Sequence, residues 1–207
     1  MPGQHKRAKA CRRRPQQRRA QQTVEAILDA VVRILKREGG KEVNTNRIAE
    51  VAGVSIGSLY QYFPDKGAIF AALHQRHVEE IDRMVEKTLV RNARASLDEL
   101  MRAMIEAMIE AHRRDPELYD ALFAEVPHRA NGSQDFATRL HGAFRLAIAA
   151  RAPELGNHED LDKTVFVVTH MVESLSHGVV LRRPRGLSLA AGKEEAVRAV
   201  LAYLHAQ

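Results

Sequence analysis

The sequence has one cysteine, no tryptophan and no long uncharged hydrophobic run. A single cysteine, Cys11, excludes an intramolecular disulfide framework and any metal site built from several thiolates. No apolar run approaches the ~18–20 residues that a membrane span needs, so we expect neither an integral membrane protein nor a membrane partner. The charged N-terminus lacks the apolar stretch of a secretory signal, and a reducing cytoplasm is the expected location.

Glycine and proline are absent from long internal stretches. The segment 68–130 has no glycine, and 65–115 has no proline. Apolar residues recur at helical spacing, and no sustained apolar–polar alternation argues for strands. The 207 residues, 45% of them hydrophobic, are enough to bury a substantial core. We therefore predict an all-α protein of about nine helices.

Positive charge is concentrated at the N-terminus. Of the 32 lysines and arginines, eight lie in 1–19 without any acidic residue, and the remaining 24 face 26 acidic residues. A basic segment without apolar content suits a polyanion partner and is expected to be disordered when free. We predict a disordered basic arm over 1–18, with the first helix beginning near residue 19. A solubilising tail or an organellar presequence are the alternatives.

Residues 44–66, NTNRIAEVAGVSIGSLYQYFPDK, carry most of the functional information. Two short helices are predicted on either side of a turn. Gly53 suits its left-handed position, Val54 can plug the core, and Ser55 can cap the second helix. This arrangement is typical of a helix-turn-helix, although many helical hairpins share it.

The residues after the turn make the pattern specific. Ser-x-Gly-x-Leu-Tyr-x-Tyr-Phe, followed by lysine, closely resembles the DNA-binding domain of the TetR/AcrR family of bacterial transcriptional regulators. The resemblance covers about residues 20–70 and rests on Thr45, Ile48, Ala49, Ala52, Gly53, Ser55, Gly57, Leu59, Tyr60, Tyr62, Phe63 and Lys66. It implies an N-terminal three-helix helix-turn-helix domain over 19–68 and a C-terminal helical ligand-binding and dimerisation domain over 69–207.

The second short helix is the expected reading element. Its seven or eight residues can lie in the ~12 Å wide major groove with the first residues facing base edges. Leu59 and Phe63 should face the core, and the resemblance implies that Thr45 caps the preceding helix and contacts a phosphate. The predicted DNA-binding residues are Thr45, Asn46, Arg47, Ser55, Ile56, Gly57, Ser58, Tyr60, Tyr62 and Lys66.

The resemblance also implies a pocket for a small, often lipophilic molecule and a four-helix dimer seam made by the last two helices. Flexible thioethers and rings suit an adaptable cavity, although each can equally be ordinary core. The predicted pocket residues are Met101, Met104, Met108, Phe123, Phe144, Phe166, His170, Met171 and Ser174. The predicted dimer interface consists of Val168, Val172, Leu175, Val179, Val197, Val200, Leu201 and Leu204.

Polar residues within the helices leave several interpretations open. His170 and His177, with Glu173 between them, could orient a polar ligand head, make buried hydrogen bonds or face the dimer seam. His74, His77 and Glu80 share one helix face, and a solvated surface is favoured there over a metal site. We predict no metal site and no cofactor.

A ligand-responsive repressor is the favoured function. We expect a homodimer that binds a pseudo-palindromic double-stranded DNA operator and is released by a small lipophilic effector, in the bacterial cytoplasm and nucleoid-associated when bound. The alternatives are a ligand-free helical DNA-binding protein or, less favoured, a helical enzyme or carrier. No catalytic residues are predicted, because the sequence has no phosphate-cradling glycine loop, Gly-x-Ser-x-Gly elbow or His-Glu-x-x-His helix.

Overall fold

The computed structural model describes residues 7–125, 131–156 and 160–206, with side chains described for 17–122, 138–156 and 160–206. These ranges contain nine α-helices, two single 3-10 turns and no strand, which confirms the all-α prediction. The helices are α1 (Arg7–Glu38), α2 (Thr45–Ala52), α3 (Ile56–Tyr62), α4 (Lys66–Arg91), α5 (Leu97–Arg114), α6 (Pro116–Glu125), α7 (Asn131–Ala149), α8 (Leu161–Leu181) and α9 (Leu189–Leu204).

The first helix is longer than the sequence suggested. It begins at Arg7, so the predicted start near residue 19 is wrong, and 7–18 is helical rather than the disordered arm that we expected. The segment is rich in alanine, arginine, lysine and glutamine, which are good helix formers. Extending an existing helix also avoids the cost of a new nucleus.

The N-terminal compact unit, Met1–Leu73, contains the two short helices. Helix α1 packs on α2, and α2 packs on α3. Gly39 (φ 87°) ends α1 and Gly53 (φ 70°) takes the left-handed position after α2, as the sequence predicted. The buried apolar side chains of this unit are Ile27, Leu28, Ala30, Val31, Ile34, Leu35, Val43, Ile48, Ala49, Leu59, Phe63, Ile69, Phe70 and Leu73.

The C-terminal unit, His74–Gln207, begins inside α4, five residues after the predicted boundary at 68. Its core is formed where α5 and α8 pack together and α7 and α9 close against them. Helix α5 begins with a capping box, in which Ser96 accepts from the Glu99 amide and Glu99 bonds back to Ser96. This cap fixes where α5 begins.

Helix α8 and the start of α7 depart from expectation. By length and composition alone α8 could cross a membrane, contrary to the sequence analysis, but its inner face belongs to the core of this unit. The composition of 128–135, HRANGSQD, is typical of a loop, but α7 begins at Asn131; 128–130 lie outside the described residues. Asparagine and serine mark helix starts as readily as loops, and composition could not separate the two.

A buried arginine connects the ends of three helices in the C-terminal unit. Arg151, only 8% exposed, donates to the carbonyl oxygens of Ala95 and Asn92 at 2.9 and 2.8 Å, to that of Ala93 at 3.2 Å and to that of Ala147 at 2.9 Å. These carbonyls lie beyond α4, before α5 and in the last turn of α7. The guanidinium therefore supplies donors to backbone acceptors at helix ends, among which the Asn92 carbonyl oxygen also accepts from the Ala95 amide at 3.1 Å.

Candidate functional site

The start of α2 differs from the expected cap. Asn44, not Thr45, is the N-cap residue, and its side chain accepts from the Arg47 amide at 3.0 Å. Asparagine caps as well as or better than threonine, which leaves the threonine hydroxyl free to act elsewhere. Thr45 Oγ1 lies 3.1 Å from the Tyr60 hydroxyl of α3, within hydrogen-bond distance. The two helices thus bring together two predicted phosphate-binding hydroxyls.

Helix α3 begins where the sequence predicted. Ser55 is its N-cap and accepts from the Ser58 amide at 3.0 Å, and the two serine hydroxyls are 2.8 Å apart. Leu59 is fully buried and Phe63 is 7% exposed, which confirms that both face the core. Burial of this inner stripe fixes the rotation of α3 about its axis.

The outer side of α3 carries most of the predicted DNA contacts. Ile56, Tyr60 and Tyr62 are exposed by 39%, 50% and 37%. Gly57 is exposed, and a β-carbon built there would meet only Ser55 Oγ, at 3.9 Å. Large apolar and aromatic side chains seldom remain exposed together on so short a helix without a partner, so this surface is a candidate interface.

Two predicted contacts have additional roles within the unit. Lys66 Nζ lies 5.4 Å from the centroid of the Phe70 ring, a cation–π arrangement. Arg47 donates to Glu38 at 2.6 and 2.9 Å and to Glu50 at 2.7 Å, and these hydrogen bonds raise the pKa of its guanidinium. Arg47 therefore ties α1 to α2. Asn46 is exposed beside it.

The predicted pocket residues fall into two groups by burial. Met101, Met104, Met108 and Phe144 are each at most 4% exposed and pack into the core, with Met171 against it. Phe166, His170 and Ser174 instead lie on the exposed side of α8. The Phe123 side chain lies outside the described residues. Apolar spacing marked a buried face correctly, but spacing alone cannot separate a packed core from an open cavity.

Five of the eight predicted dimer residues are buried within a single chain. Val168, Val172, Val197, Val200 and Leu204 are at most 2% exposed, and Leu175, Val179 and Leu201 pack partly buried against them. A helix normally has one strong apolar stripe, and the stripes of α8 and α9 are buried in the core of a single chain. A face of α8 or α9 that binds a second chain would therefore lie on the outer side of these helices.

Four rings from four helices meet in the C-terminal unit, which we call the ring cluster: His77 (α4), His112 (α5), Tyr119 (α6) and His177 (α8). The Tyr119 centroid lies 4.4, 4.0 and 6.0 Å from those of the three imidazoles, and the His112 and His177 centroids are 5.8 Å apart. His77 Nε2 and the Tyr119 hydroxyl share a short hydrogen bond. The expectation of a solvated surface at His77 is therefore wrong.

Sequence reasoning missed His112 and Tyr119. His112 is three and four residues beyond Ile109 and Met108, so it continues the buried stripe of α5. This position in the stripe was the sequence signal that His112 would be buried. No cluster of at least three histidine, cysteine or acidic side chains suited to a metal ion occurs among the described residues.

Burial controls the protonation of the ring cluster. Desolvation lowers the pKa of His77 to about 4, with a further lowering by His112 and His74. Desolvation likewise lowers the pKa of His112 to about 4, although its hydrogen bond to Met108 opposes this. Burial also lowers the pKa of His177 and raises that of Tyr119. At neutral pH the three imidazoles are therefore uncharged.

Acid should destabilise the C-terminal unit before it titrates most carboxylates. His77 and His112 take up protons below about pH 6.5 when unfolded but only near pH 4 when folded, so stability falls as the pH falls between these values. We expect a loss of about 2 kcal/mol per imidazole between pH 7 and pH 5. Urea unfolding at both pH values should show it. The double variant His77→Gln/His112→Gln should lose less, and His141→Gln should lose as much as the wild type; equal losses in all three proteins would contradict the assignment.

Comparison with known proteins identifies the family to which both units of the chain are similar. Residues 27–73 match the family model of bacterial regulatory proteins of the tetR family. Residues 96–204, more than half of the chain, match that of the Tetracyclin repressor-like C-terminal domain. The nucleoid occlusion factor SlmA of Haemophilus ducreyi is 31% identical over 91 residues, 44% of each chain. The HTH-type transcriptional repressor KstR of Mycolicibacterium smegmatis is 30% identical over 117 residues, 55% of this chain and 56% of that one. These matches span about half the length of the curated relatives.

Solved structures share the fold across nearly the whole chain. The regulator FadR of Bacillus subtilis, solved in complex with stearoyl-CoA, superimposes with a TM-score of 0.67 at 16% identity, covering 87% of this chain and 99% of that one. A TetR-family regulator of Streptomyces coelicolor gives a TM-score of 0.62 at 23% identity, covering 88% and 97%. Together with the two family models, the helix-turn-helix of α2 and α3 and the helical C-terminal unit lead to one assignment. The chain belongs to the TetR family of bacterial regulatory proteins.

Proposed function

We propose that the protein is a transcriptional regulator that binds a pseudo-palindromic operator as a homodimer and is released by a small molecule in the bacterial cytoplasm. The exposed surface of α3 is the observation that carries the proposal. The inner residues of α3 are buried. Its outer side carries the methyl groups of Ile56, the phenols of Tyr60 and Tyr62, and the hydroxyls of Ser55 and Ser58 at its start. These groups suit thymine methyls, phosphates and base edges respectively.

The α2–α3 pair supplies phosphate contacts on both sides of the reading surface. The hydroxyls of Thr45 and Tyr60, 3.1 Å apart, can bind the oxygens of one phosphate group. Tyr62 and Lys66 follow along the chain and provide a further hydroxyl and a charge. Such contacts set the register of α3 in the groove, while Ile56 and Ser58 would carry what base preference there is.

The N-terminal end of α1 supplies most of the positive charge available for DNA. Residues 20–68 hold six basic and six acidic side chains and are neutral. We expect the triple variant Arg12→Gln/Arg13→Gln/Arg14→Gln to reduce the slope of log affinity against log salt by about 2–3 per protomer, since each phosphate contact contributes about 0.9. Fluorescence anisotropy of labelled operator DNA at about 50–200 mM salt measures this slope. The pair Arg113→Gln/Arg114→Gln on α5 is the control, and an unchanged slope in the triple variant would contradict the role.

A second copy of the chain is proposed to cover the outer side of α8. Phe166, His170 and Ser174 recur every four residues there, and Phe166 is 56% exposed with its ring 4.2 Å from that of His170. Two-fold symmetry would place this surface against itself in the partner. Burial of two phenylalanines at a seam is worth several kcal/mol, on the order of 1.5–3 each.

The variant Phe166→Asp tests this seam. We expect a shift from dimer to monomer at micromolar concentration, measured by sedimentation, because each seam would bury two facing carboxylates. Operator affinity should fall with it, since one half-site binds far more weakly than two. Leu146→Asp on α7, at a side chain 71% exposed, is the control. A dimeric Phe166→Asp variant would show that the seam lies elsewhere.

Effector release is proposed to act through α4, which extends from Lys66 in the N-terminal unit to Arg91 in the C-terminal unit. The structurally similar FadR of Bacillus subtilis was solved with stearoyl-CoA bound, which supports a ligand role for the helical unit. A compound that raises the melting temperature of the protein must bind the native state. If it is the effector, compound and DNA weaken each other's affinity by the same factor. Independent affinities would favour the ligand-free alternative.

A further inference from the structure

The one cation of α2 is bound by two carboxylates. Arg47 donates from Nε and Nη2 to the two carboxylate oxygens of Glu38 at 2.9 and 2.6 Å, and from Nη1 to Glu50 at 2.7 Å. We call these three residues the Arg47 bridge. The hydrogen bond from Arg47 lowers the pKa of Glu38, so this carboxylate is charged at neutral pH. With two anions and one cation, the bridge carries surplus negative charge.

The Arg47 bridge lies beside groups that are predicted to bind phosphate. Arg47 is in the first turn of α2, two residues after Thr45, whose hydroxyl is 3.1 Å from that of Tyr60. The backbone N–H groups at a helix N-terminus attract an anion and disfavour a cation. A guanidinium in this turn is therefore favourable only with an anion beside it. In the free protein the two carboxylates provide that anion, and a DNA phosphate can take their place.

The Arg47 bridge is open to solvent. The side chains of Arg47, Glu38 and Glu50 are 36%, 28% and 70% exposed. Ion pairs as exposed as these contribute little to folding stability, because water and salt screen them. A phosphate offers paired oxygens as a carboxylate does, and arginine binds either group through two parallel N–H donors. Exchange of a carboxylate for a phosphate therefore costs little free energy.

Helix α2 has other contacts that hold it on α1. Ile48 is fully buried between the helices of this unit. At the far end of α2, Arg33 of α1 donates to the Val51 carbonyl oxygen at 3.2 Å. The Arg47 side chain can therefore leave Glu38 while α2 stays packed on α1.

We propose that Arg47 is a phosphate ligand which Glu38 and Glu50 restrain in the free protein, and that it exchanges these carboxylates for a phosphate of the DNA backbone when the protein binds DNA. The two carboxylates thereby lower the affinity of the protein for DNA, because their hydrogen bonds must break before the phosphate contact forms. The inference rests on the proposed function, since it adds a phosphate contact, and the residues that restrain it, to the same DNA-binding surface.

Two substitutions within the Arg47 bridge should have opposite effects. Glu38→Gln should strengthen DNA binding about twofold to fivefold, because the guanidinium loses its bidentate partner. Arg47→Gln should weaken binding about threefold to tenfold, because a charged phosphate contact is lost. Phosphates carry no sequence information, so fluorescence anisotropy should show both effects on a duplex selected from genomic DNA and on a mixed-sequence duplex of equal length. Weaker binding by both variants, or unchanged binding by both, would overturn the proposal.

A double-mutant cycle separates the exchange from a general effect of charge. The affinity of Glu38→Gln/Arg47→Gln should be close to that of Arg47→Gln alone, because Glu38 acts through Arg47. A gain from Glu38→Gln that persists without Arg47 would mean that the carboxylate repels DNA directly, and would overturn the exchange. Glu42→Gln is the matched control, since it removes the same charge from an exposed side chain four residues away. A gain in Glu42→Gln equal to that in Glu38→Gln would also contradict the proposal.

Melting temperatures of the same variants exclude an effect on folding. They should lie close to that of the wild type, because the bridge is exposed. A gain in affinity by Glu38→Gln cannot arise from unfolding, so this variant tests the exchange even if Arg47→Gln is destabilised.

The two duplexes separate the exchange from the proposed function. Protein that selects an operator but loses affinity in both Glu38→Gln and Arg47→Gln contradicts the exchange and leaves the regulator intact. Protein that selects no operator, yet shows the opposite effects on the mixed-sequence duplex, supports the exchange and contradicts the site-specific regulator.

Discussion

The variant Gly57→Glu is expected to bind the operator at least about a hundredfold more weakly while remaining fully folded. Gly57 lies in the first turn of α3, and a β-carbon there meets only Ser55 Oγ at 3.9 Å, so the domain accommodates the side chain. Glutamate also forms helix better than glycine by about 0.5–1 kcal/mol. The loss arises in the complex with DNA. In each half-site the new carboxylate would lie between α3 and the base edges of the major groove. Disrupting one base contact costs about 1–3 kcal/mol, and the dimer would incur that cost twice.

Gly142→Glu is the matched control for this experiment. Gly142 is also helical, on α7, and a β-carbon there meets nothing within 4 Å. Operator affinity and melting temperature of both variants should be measured side by side. Normal operator affinity in Gly57→Glu would mean that α3 does not face the DNA. Equal losses in the two variants would mean that added negative charge, rather than position, weakens binding.

The variant Arg151→Met should lower the free energy of unfolding by about 3–5 kcal/mol. Methionine approximates the buried stem of arginine but donates nothing to the carbonyl oxygens of Asn92, Ala93, Ala95 and Ala147. Removing the charged donor from a hydrogen-bond network has a cost of this size, because three helix ends lose the group that joins them; of the four carbonyl oxygens, that of Asn92 keeps the Ala95 amide as a donor. Urea unfolding at neutral pH measures the difference.

Arg145→Met on α7 provides the comparison. Arg145 pairs with Asp162 at 2.5 Å, but both side chains are about half exposed or more, at 48% and 66%. Exposed pairs of this kind contribute about 0–1 kcal/mol. We expect Arg145→Met to unfold nearly as the wild type does. An Arg151→Met variant as stable as Arg145→Met would show that solvent replaces the lost donors.

Local signals in the sequence predicted the N-terminal unit well. Gly53, Ser55, Leu59 and Phe63 have the turn, cap and core positions that their chemistry indicated, because each depends on neighbours within one or two turns. The cap of α2 was misassigned, because Asn44 and Thr45 are both good capping residues and only the backbone decides between them. Because Asn44 caps α2, the Thr45 hydroxyl lies within hydrogen-bond distance of Tyr60 instead.

The C-terminal unit shows where such signals fail. The spacing of Val168 and Val200 identified buried faces correctly, but a stripe does not state whether its partner lies in the same chain or in another. Phe166 did not belong to the strongest stripe, so its exposure could be seen only once α8 was packed. The ring cluster joins residues up to 100 positions apart, from His77 to His177. Helical periodicity cannot predict contacts between residues so far apart in the sequence.

Selection of bound duplexes from fragmented genomic DNA at about 0.15–0.2 M salt, where non-specific binding is suppressed, tests the central claim most directly. The account predicts a shared pseudo-palindrome whose half-sites lie about 34–36 Å, or one helical turn, apart or a multiple of that spacing. Gly57→Glu protein should not enrich it. Recovery of fragments with no shared sequence by folded wild-type protein would contradict the claim that α3 reads an operator.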